Sequence, residues 1–342
     1  MNRGGWADVP GVSFRVVTWE AGKDVRAFLR GRGFSRRLVR QLAEAGSVRV
    51  DGLPWTPGGR PFLLSAGQRV DVAFPPPPER HVEPVSGPLA VAYEDEDILV
   101  VDKPPGLLVH PLPWERGDSL LGRVYAYLLS TRGPSWYPHL VHRLDRPTSG
   151  LVLVALHPRA KHALSRALAA GRVRRGYAAL LTGDLPADAG TIEGGIRRRT
   201  GSLLLREVHP QGRAAQTHFE VVRRCGRATW VRAILGSGRT HQIRVHFSSL
   251  GYPVVGDGLY GGRYGGREEV GENRTAPDKF GDEASKAEPP VLRRIALHAE
   301  VLRFPDLRGR GERAVVSPVP GDLRAIWEEI CGRGPAAGEG GA

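Results

Sequence analysis

A single carboxylate lies between two arginines in the stretch VHRLDRPTSG, residues 141–150. The stretch ends in a Ser-Gly turn signal, and the apolar run that follows, residues 151–156, is typical of a buried strand. We therefore expect Asp145 to stand at the mouth of that strand, where burial favours its neutral form and positive charge favours its ionised form. Such opposed effects are common at catalytic carboxylates, and structural ion pairs produce them too.

The segments around Asp145 show the periodicities of several strands and helices. Strands are expected where apolar and β-branched residues run together, at residues 98–101, 151–156, 177–181, 202–208, 217–222, 229–235 and 295–304. Helices are expected where apolar residues recur at helical spacing, at residues 120–128, 158–170, 240–250 and 323–330. Because strands follow one another with the helices set apart, we predict an α+β fold with a mainly antiparallel or mixed β-sheet flanked by helices.

The first part of the chain has a different pattern, with two short helices followed by strands. The second helix has Ser35 as its N-cap and Gly46 as its stop, and a turn at residues 51–52 joins the following strands. Residues 1–75 hold 12 basic and 6 acidic residues, a net charge of +6. Three arginines fall largely on one face of the second helix, Arg36, Arg37 and Arg40. A basic helix start can bind phosphates, although a solvated basic face is the usual explanation of a charge run.

Four successive prolines, residues 75–78, form a stiff spacer and indicate a domain boundary. We expect a small α/β module over residues 13–75 after a loose leader, a proline-rich linker over 76–88 and a second domain over 89–331. Residues 262–290 are rich in glycine, proline and charge, with a net charge of −2, and are expected to be a disordered insertion. Residues 332–342 are expected to be a flexible tail.

The overall composition constrains the partner and the compartment. The formal net charge is +13 and the pI is about 10.4, which favours a polyanionic partner such as nucleic acid, although a general solubility adaptation would also give a basic chain. Two cysteines without a CxxC motif exclude a disulfide scaffold and fit a reducing cytoplasm. We find no signal peptide and no apolar run long enough for a membrane helix. The sequence therefore predicts a soluble, cytoplasmic protein, expected to be a monomer.

Several motifs occur in the order found in the RluA-type pseudouridine synthases. HRLDxxTSG at residues 142–150 resembles the signature of that family, and four further segments match it: VDKPPGL at 101–107, VxRxYxA at 173–179, GRTHQIRVH at 238–246 and GDxLYG at 256–261. The resemblance spans roughly residues 89–330. Residues 13–75 are similar to the RNA-binding module named after a small-subunit ribosomal protein.

The resemblance implies an isomerase that converts uridine to pseudouridine in ribosomal or transfer RNA. Asp145 takes the position of the catalytic carboxylate, which acts either as nucleophile at the anomeric carbon or as base at the 2′ position. Arg244 matches the arginine that pairs with it, and Tyr177 matches the tyrosine that lies against uracil. The target nucleotide must leave the RNA stack, and Arg143 stands where some members fill the vacated place. The expected RNA-binding residues are Arg143, Arg36, Arg37, Arg40, Arg239 and His241.

Three positions depart from the family pattern, and several alternatives stay open. Leu156 and Arg175 stand where lysine is usual, and Ser237 stands where threonine is usual. Since His241 and His246 are five residues apart, they lie about 140° apart on a helix and cannot share one metal. No metal and no cofactor are expected, because the isomerisation is redox-neutral. The rival hypotheses are a non-catalytic RNA-binding or ribosome-assembly factor and a hydrolase of nucleoside bonds. Family analogy favours large-subunit ribosomal RNA over transfer RNA.

Overall fold

The first unit of the protein is a four-stranded antiparallel sheet packed on two helices. The computed structural model describes residues 9–56, 58, 61–77, 82–112, 117–261, 294–309 and 311–332. The elements of the first unit are β1 (Gly11–Arg15), α1 (Val25–Gly31), α2 (Arg36–Glu44), β2 (Val48–Val50), β3 (Leu53–Pro54) and β4 (Arg69–Ala73). The strand order is β1-β4-β2-β3, and one hydrophobic cluster fills the space between sheet and helices.

Local sequence signals account for the helices of this unit. The side chain of Asp24 accepts a hydrogen bond from the backbone N–H of Arg26, and Ser35 caps α2 by accepting from the N–H of Leu38. Asp51 and Gly52 both have positive φ angles, 47° and 81°, as a tight hairpin turn requires. The expected loose leader is too long by two residues, since β1 begins at Gly11 and pairs with β4.

The second unit is built on one large mixed sheet of ten strands and has a separate two-stranded sheet. Its strands are β5 (Ala90–Glu94), β6 (Ile98–Lys103), β7 (His139–Leu140), β8 (Ser149–Ala155), β9 (Arg174–Thr182), β10 (Ala189–Glu193), β11 (Ile196–Arg198), β12 (Arg206–Val208), β13 (Gln216–Arg224), β14 (Ala228–Leu235), β15 (Leu297–Pro305) and β16 (Glu312–Val316). Its helices are α3 (Leu120–Arg132), α4 (Pro158–Ala169), α5 (Gln242–Ser249) and α6 (Gly321–Cys331). The main strand order is β10-β13-β14-β9-β15-β8-β6-β5, and the α+β prediction is confirmed.

Strand β8 lies in the middle of this sheet and directly follows the loop that contains Asp145. All seven of its residues are buried, and it pairs antiparallel with β6 and parallel with β15. Gly150 is essential to the parallel contact, because its φ is 110° and an added Cβ would lie 2.3 Å from the carbonyl oxygen of Ala299. The strand therefore fixes the loop before it against the core.

Several expectations need correction. Only Arg206–Val208 of the expected strand 202–208 is a strand, while Leu203 and Leu204 are exposed in the turn before it. The short strands β5, β7, β10 and β11 are not among the predicted strands. No continuous apolar run marks β7, β10 or β11, whereas residues 90–93 of β5 do form one. Leu156, which stands where the family usually has lysine, is fully buried in the core. The insertion predicted at 262–290 and most of the tail predicted at 332–342 lie outside the described residues.

The two cysteines are linked in the structure. Cys225 follows β13 and Cys331 ends α6, and a disulfide bond joins them with Cα atoms 5.6 Å apart. They are 106 residues apart in the chain, and no local sequence pattern predicts this pairing. Cysteine usage therefore no longer supports the prediction of a reducing compartment. Among the described residues, no helix has the length and apolar character needed to cross a membrane.

The first unit contacts the second at the start of α4. The ring of Phe74 stacks on His157 with centroids 4.6 Å apart, and His157 in turn bonds to the carboxylate of Asp97 at 2.7 Å. Arg159 donates to the backbone oxygen of Arg32 at 3.2 Å, and its guanidinium lies over the ring of Phe34. The stacking of Phe74 on His157 and the contacts of Arg159 thus hold the first unit, which carries α2, against the second unit.

Candidate active site

A cavity of about 540 Å³ opens beside the loop that precedes β8. Its walls come from this loop, from the end of α4 and start of β9, and from the segment 235–244 that leads into α5. Four arginines line it, against one carboxylate: Arg143, Arg175, Arg239 and Arg244, with Asp145. A cavity of this charge suits a negatively charged ligand.

The carboxylate of Asp145 is held by an arginine from a distant part of the chain. Arg244, in α5, donates from Nη1 to Oδ2 of Asp145 at 3.2 Å, across 99 residues of sequence. Asp145 keeps a side-chain exposure of 16%, whereas Arg244 is almost completely buried at 3%. The partner of the carboxylate is thus the residue that the family resemblance implied.

Arg244 is itself fixed by a second carboxylate. Asp257 accepts from Nε at 2.6 Å and from Nη2 at 2.8 Å, and its side chain is 1% exposed. Burial alone would lower the pKa of Arg244, but the hydrogen bonds and charges of Asp257 and Asp145 raise it. Arg244 is therefore a permanent cation in one orientation, as a bidentate carboxylate pair provides.

His241 forms the second polar contact near Asp145. Its Nε2 lies 3.9 Å from Oδ2 of Asp145, and its Nδ1 is 2.8 Å from the hydroxyl of Tyr260. Because that hydroxyl accepts the backbone N–H of Arg206 at 2.9 Å, its own proton points to Nδ1, which leaves the imidazole proton on Nε2. Burial lowers the pKa of His241, so the ring is neutral near pH 7 and presents an N–H toward Asp145.

A buried lysine ties the loop after β6 to the loop of Asp145. Lys103 is fully buried, and its ammonium donates to the backbone oxygens of Pro104, Leu107 and Arg146 at 2.8, 2.9 and 3.1 Å. Gly106 and Arg146 also exchange two hydrogen bonds. Burial lowers the pKa of Lys103 to about 7, against an opposing effect of Asp145. This contact positions the backbone directly after Asp145.

Tyr177 forms part of the cavity wall from the middle of β9. It is 4% exposed and pairs in register with Ala233 of β14 and Ala299 of β15. Burial raises the pKa of its hydroxyl, Arg175 opposes the rise and Asp145 adds to it. The hydroxyl is therefore protonated at neutral pH, in the same cavity as Asp145.

Other residues of the sequence motifs have structural contacts. Gln242 accepts from Ser237 and from the N–H of Arg239, and donates to Gln216 and Thr217. Ser237 thus supplies the hydroxyl contact expected of threonine. His142 accepts the N–H of Leu153 through Nε2, and burial lowers its pKa to about 3. Within the described ranges, no three His, Cys, Asp or Glu side chains are grouped closely enough to hold a metal ion.

The predicted RNA-binding residues lie at two separate places. Arg143, Arg239 and His241 line the cavity, with Arg143 exposed on its loop and Arg239 bonded to the backbone oxygen of Ala214 at 3.1 Å. Arg36, Arg37 and Arg40 are exposed on α2 and are not part of the cavity. Arg40 also lies 3.8 Å from Glu44.

Three residues that form contacts in the site have no role predicted from the sequence. Asp257 and Tyr260 belong to the quoted GDxLYG segment, and Lys103 belongs to the quoted VDKPPGL segment, but sequence reasoning assigned them no function. The usable signal was the presence of ionisable residues inside motif blocks, at positions that an apolar core would otherwise occupy.

Comparison with known proteins decides the family. A family model described as RNA pseudouridylate synthase matches residues 97–249. The chain is 36% identical over 300 residues to a "Ribosomal large subunit pseudouridine synthase D" of Xanthomonas campestris, an alignment that covers 87% of this chain and 85% of the relative. It belongs to the RNA pseudouridine synthase family. It is thus an isomerase, by the reaction that gives the family its name.

Other relatives and solved structures agree with this membership. An uncharacterized RNA pseudouridine synthase of Aquifex aeolicus is 36% identical over 232 residues, covering 67% of this synthase and 73% of the relative. The structure of human RNA Pseudouridylate Synthase Domain Containing 1 matches with a TM-score of 0.51 and 27% identity, covering 72% and 90% of the two chains. Human RNA Pseudouridylate Synthase Domain Containing 4 has the same fold, with a TM-score of 0.54 at 23% identity over 70% of this synthase and 92% of the human chain.

Proposed function

We propose that this synthase isomerises specific uridines in large-subunit ribosomal RNA, with Asp145 as its catalytic carboxylate. The observation that supports Asp145 most strongly is its pairing with Arg244 at 3.2 Å inside a cavity whose other charged lining residues are arginines. Arg244 orients the carboxylate while one face remains open to the cavity. An oriented, partly exposed carboxylate beside several arginines is suited to attack on a nucleotide.

The reaction breaks the N1–C1′ bond, rotates the base and joins C5 to C1′. Asp145 acts at the ribose, as nucleophile at C1′ or as base at C2′, and is regenerated at the end. The proton lost from C5 and the proton gained at N1 balance, so no oxidant or reductant is consumed. Tyr177 lies against uracil in this proposal: its hydroxyl gives its proton to N1 of the detached uracil, and the resulting phenolate accepts the proton that C5 loses.

The choice of ribosomal RNA rests on relatives and on charge. The Xanthomonas campestris relative and one from Haemophilus ducreyi, 32% identical over 299 residues, are both named as synthases of the ribosomal large subunit. We propose that residues 13–75 are an RNA-binding module, which would grip structured RNA through the exposed arginines of α2. Arg143, exposed beside Asp145, would fill the place in the stack that the target nucleotide leaves.

Replacing the carboxylate tests the mechanism. Large-subunit ribosomal RNA transcribed with [5-³H]uridine releases tritium to water whenever a pseudouridine forms, because C5 loses its hydrogen. We expect Asp145→Asn to keep the fold and RNA binding and to release no tritium. Asp188→Asn, a matched change at a side chain that is 90% exposed, is expected to retain full activity. Tritium release by Asp145→Asn at the wild-type rate would refute the role of Asp145.

The substrate is tested in cells. Carbodiimide mapping of pseudouridines in total RNA, with and without the gene, should reveal missing modifications in large-subunit ribosomal RNA. Losses confined to transfer RNA would refute the proposed substrate but not the reaction. An unchanged map together with slowed ribosome assembly would instead indicate a non-catalytic assembly factor.

A further inference from the structure

One buried cation in the cavity has no part in the contacts around Asp145. Arg175 lies near the start of β9, two residues before Tyr177 on the same face of the strand, and it is 8% exposed. Among the described residues, only one of its N–H donors has an assigned acceptor: Nη2 donates to the backbone oxygen of Ser237 at 3.0 Å. Its Nε is buried and has no hydrogen-bond partner in the same part of the chain.

The charge of Arg175 is not neutralised by the protein. In the part of the chain that the structure describes, no carboxylate forms an ion pair with its guanidinium, in contrast to Arg244, which has two. A buried cation without a partner is unfavourable, and unsatisfied buried donors are rare in folded proteins. Such a group is expected where a ligand supplies the missing anion.

The neighbouring backbone leaves room for this guanidinium. A Cβ atom on Gly238 would lie 2.8 Å from Nη1 of Arg175 and 3.2 Å from Nη2. Gly238 belongs to the segment that forms the cavity wall, next to Arg239. Glycine at this position therefore keeps the planar fork of Arg175 at the cavity surface rather than displaced from it.

We propose that Arg175 binds a phosphodiester of the RNA backbone at the target nucleotide, a role that rests on the proposed function of the cavity. Two residues along a strand span roughly 7 Å. A nucleotide with its ribose at Asp145 and its base against Tyr177 would therefore have its backbone in reach of Arg175. The two free oxygens of a phosphodiester match the paired N–H groups of a guanidinium. The phosphate would accept hydrogen bonds from the N–H groups of Arg175 that face the cavity.

Binding of RNA to catalytically inactive protein tests this role directly. In the Asp145→Asn background, the affinity for in vitro transcribed large-subunit ribosomal RNA is measured by filter retention over a range of salt concentrations. Arg175→Gln is expected to weaken binding about tenfold and to reduce the slope of log affinity against log salt by about 0.7, the value for one phosphate contact. Arg174→Gln is the matched control, because it removes the same charge from the exposed, opposite face of β9.

Two further variants separate a lost contact from a damaged fold. Arg175→Lys keeps the charge and should restore most of the salt slope, while Gly238→Ala keeps every charge but should weaken binding by displacing the guanidinium. Thermal unfolding of each variant shows whether the fold survives. An Arg175→Gln protein that is folded and binds with the wild-type salt slope would overturn the proposal.

Steady-state kinetics of active protein, in which Asp145 is intact, show whether Arg175 acts in substrate binding or in the chemical step. A KM raised in Arg175→Gln with little change in kcat supports a phosphate contact made in the ground state. A lower kcat with unchanged KM and unchanged salt slope would overturn it in favour of a contact with the charge that develops on the departing uracil. If the wild type does not modify the transcript at all, the proposed function fails, whereas the binding result still decides the role of Arg175.

Discussion

Asp257 and Arg244 form a bidentate ion pair that is closed off from solvent, with N–O distances of 2.6 and 2.8 Å and side chains 1% and 3% exposed. This pair leaves Nη1 of Arg244 directed at Asp145. Asp257 thus orients Arg244, and Arg244 in turn orients Asp145, the proposed catalytic carboxylate. Asp257 is a positioning residue in this arrangement, since it contacts the cation and not Asp145 itself.

The first prediction concerns Asp257→Asn. The amide cannot neutralise Arg244, and breaking a buried ion pair costs about 3–5 kcal/mol of stability. With Arg244 free to turn, we expect kcat to fall at least tenfold while KM for RNA changes little, because Asp257 does not itself line the cavity. Steady-state tritium release and thermal unfolding measure the two effects. Asp257→Glu, which keeps the charge, should recover more activity than Asn, and equal kcat for wild type and Asp257→Asn would contradict the positioning role.

The second prediction concerns Tyr260→Phe. The change removes the hydroxyl that bonds to Nδ1 of His241 and accepts the N–H of Arg206, but it keeps the ring under the guanidinium of Arg244, whose Cζ is 5.0 Å from the ring centroid. His241, held at a positive φ of 59°, would lose its fixed tautomer. We expect kcat to fall about tenfold, the effect of roughly 1.4 kcal/mol.

Tyr252→Phe is the control for this change. Tyr252 is half-buried, and its hydroxyl makes no hydrogen bond within the described residues, so its loss should leave kcat unchanged. If Tyr260→Phe also leaves kcat unchanged, the contact between His241 and Asp145 has no part in the reaction.

The elements of the fold could be predicted from the sequence where one local signal was sufficient. Ser35 caps its helix as expected, and the apolar run after Gly150 forms the buried strand β8. Strands such as β10 could not be predicted, because four of its five residues are exposed and its pattern has no apolar period. The opposite error occurs at Leu203 and Leu204, which are predicted to lie in a strand but are exposed in a turn. Apolar character alone does not distinguish a strand from a turn.

The site was predictable only as far as the family motifs name its residues. The pairing of Arg244 with Asp145 spans 99 residues, and the three carbonyl oxygens around Lys103 belong to two loops. Contacts of this kind depend on how the loops meet in the folded chain, and neither periodicity nor composition carries that information. Asp257 and Lys103 therefore had motif positions in the sequence but acquired roles only in the structure.

The third prediction concerns the pH dependence of stability. The pKa of Lys103 is about 7 in the folded protein, below the value of about 10.4 for an unfolded lysine. Between these pH values the unfolded chain binds more protons, so the free energy of unfolding contributed by this residue rises with pH, by at most about 1.4 kcal/mol per pH unit. The penalty for the buried charge is fully present below pH 7 and is lost as the pH approaches 10.

Lys103→Met isolates this contribution. Urea unfolding at pH 7, 8 and 9 gives the stability of both proteins, and the difference between them should move in favour of the wild type as the pH rises. A constant difference over this range would show that Lys103 keeps its ordinary pKa. Because Lys103 also holds the backbone oxygen of Arg146, we expect the variant to lose activity at every pH.

The fourth prediction concerns the disulfide between Cys225 and Cys331. The bond joins the end of α6 to the β13–β14 hairpin, where Trp327 already packs edge-to-face on Trp230 with centroids 5.8 Å apart. Because this packing remains after reduction, we expect α6 to stay docked, and reductant should lower the free energy of unfolding by about 2–4 kcal/mol without abolishing the fold.

Alkylation and unfolding together check the bond. Without reductant, iodoacetamide should add no mass to the chain, whether the protein is native or denatured. After reduction of the disulfide, two alkyl groups should be added. The double variant Cys225→Ser, Cys331→Ser should have the stability of the reduced wild type and should not respond to reductant. Since both cysteines lie outside the cavity, tritium release at low temperature should be the same for oxidised wild type and double variant. Two alkyl additions to the unreduced, denatured chain would show that the thiols are free, and the stabilisation of α6 would then rest on its buried apolar residues, Trp327 among them.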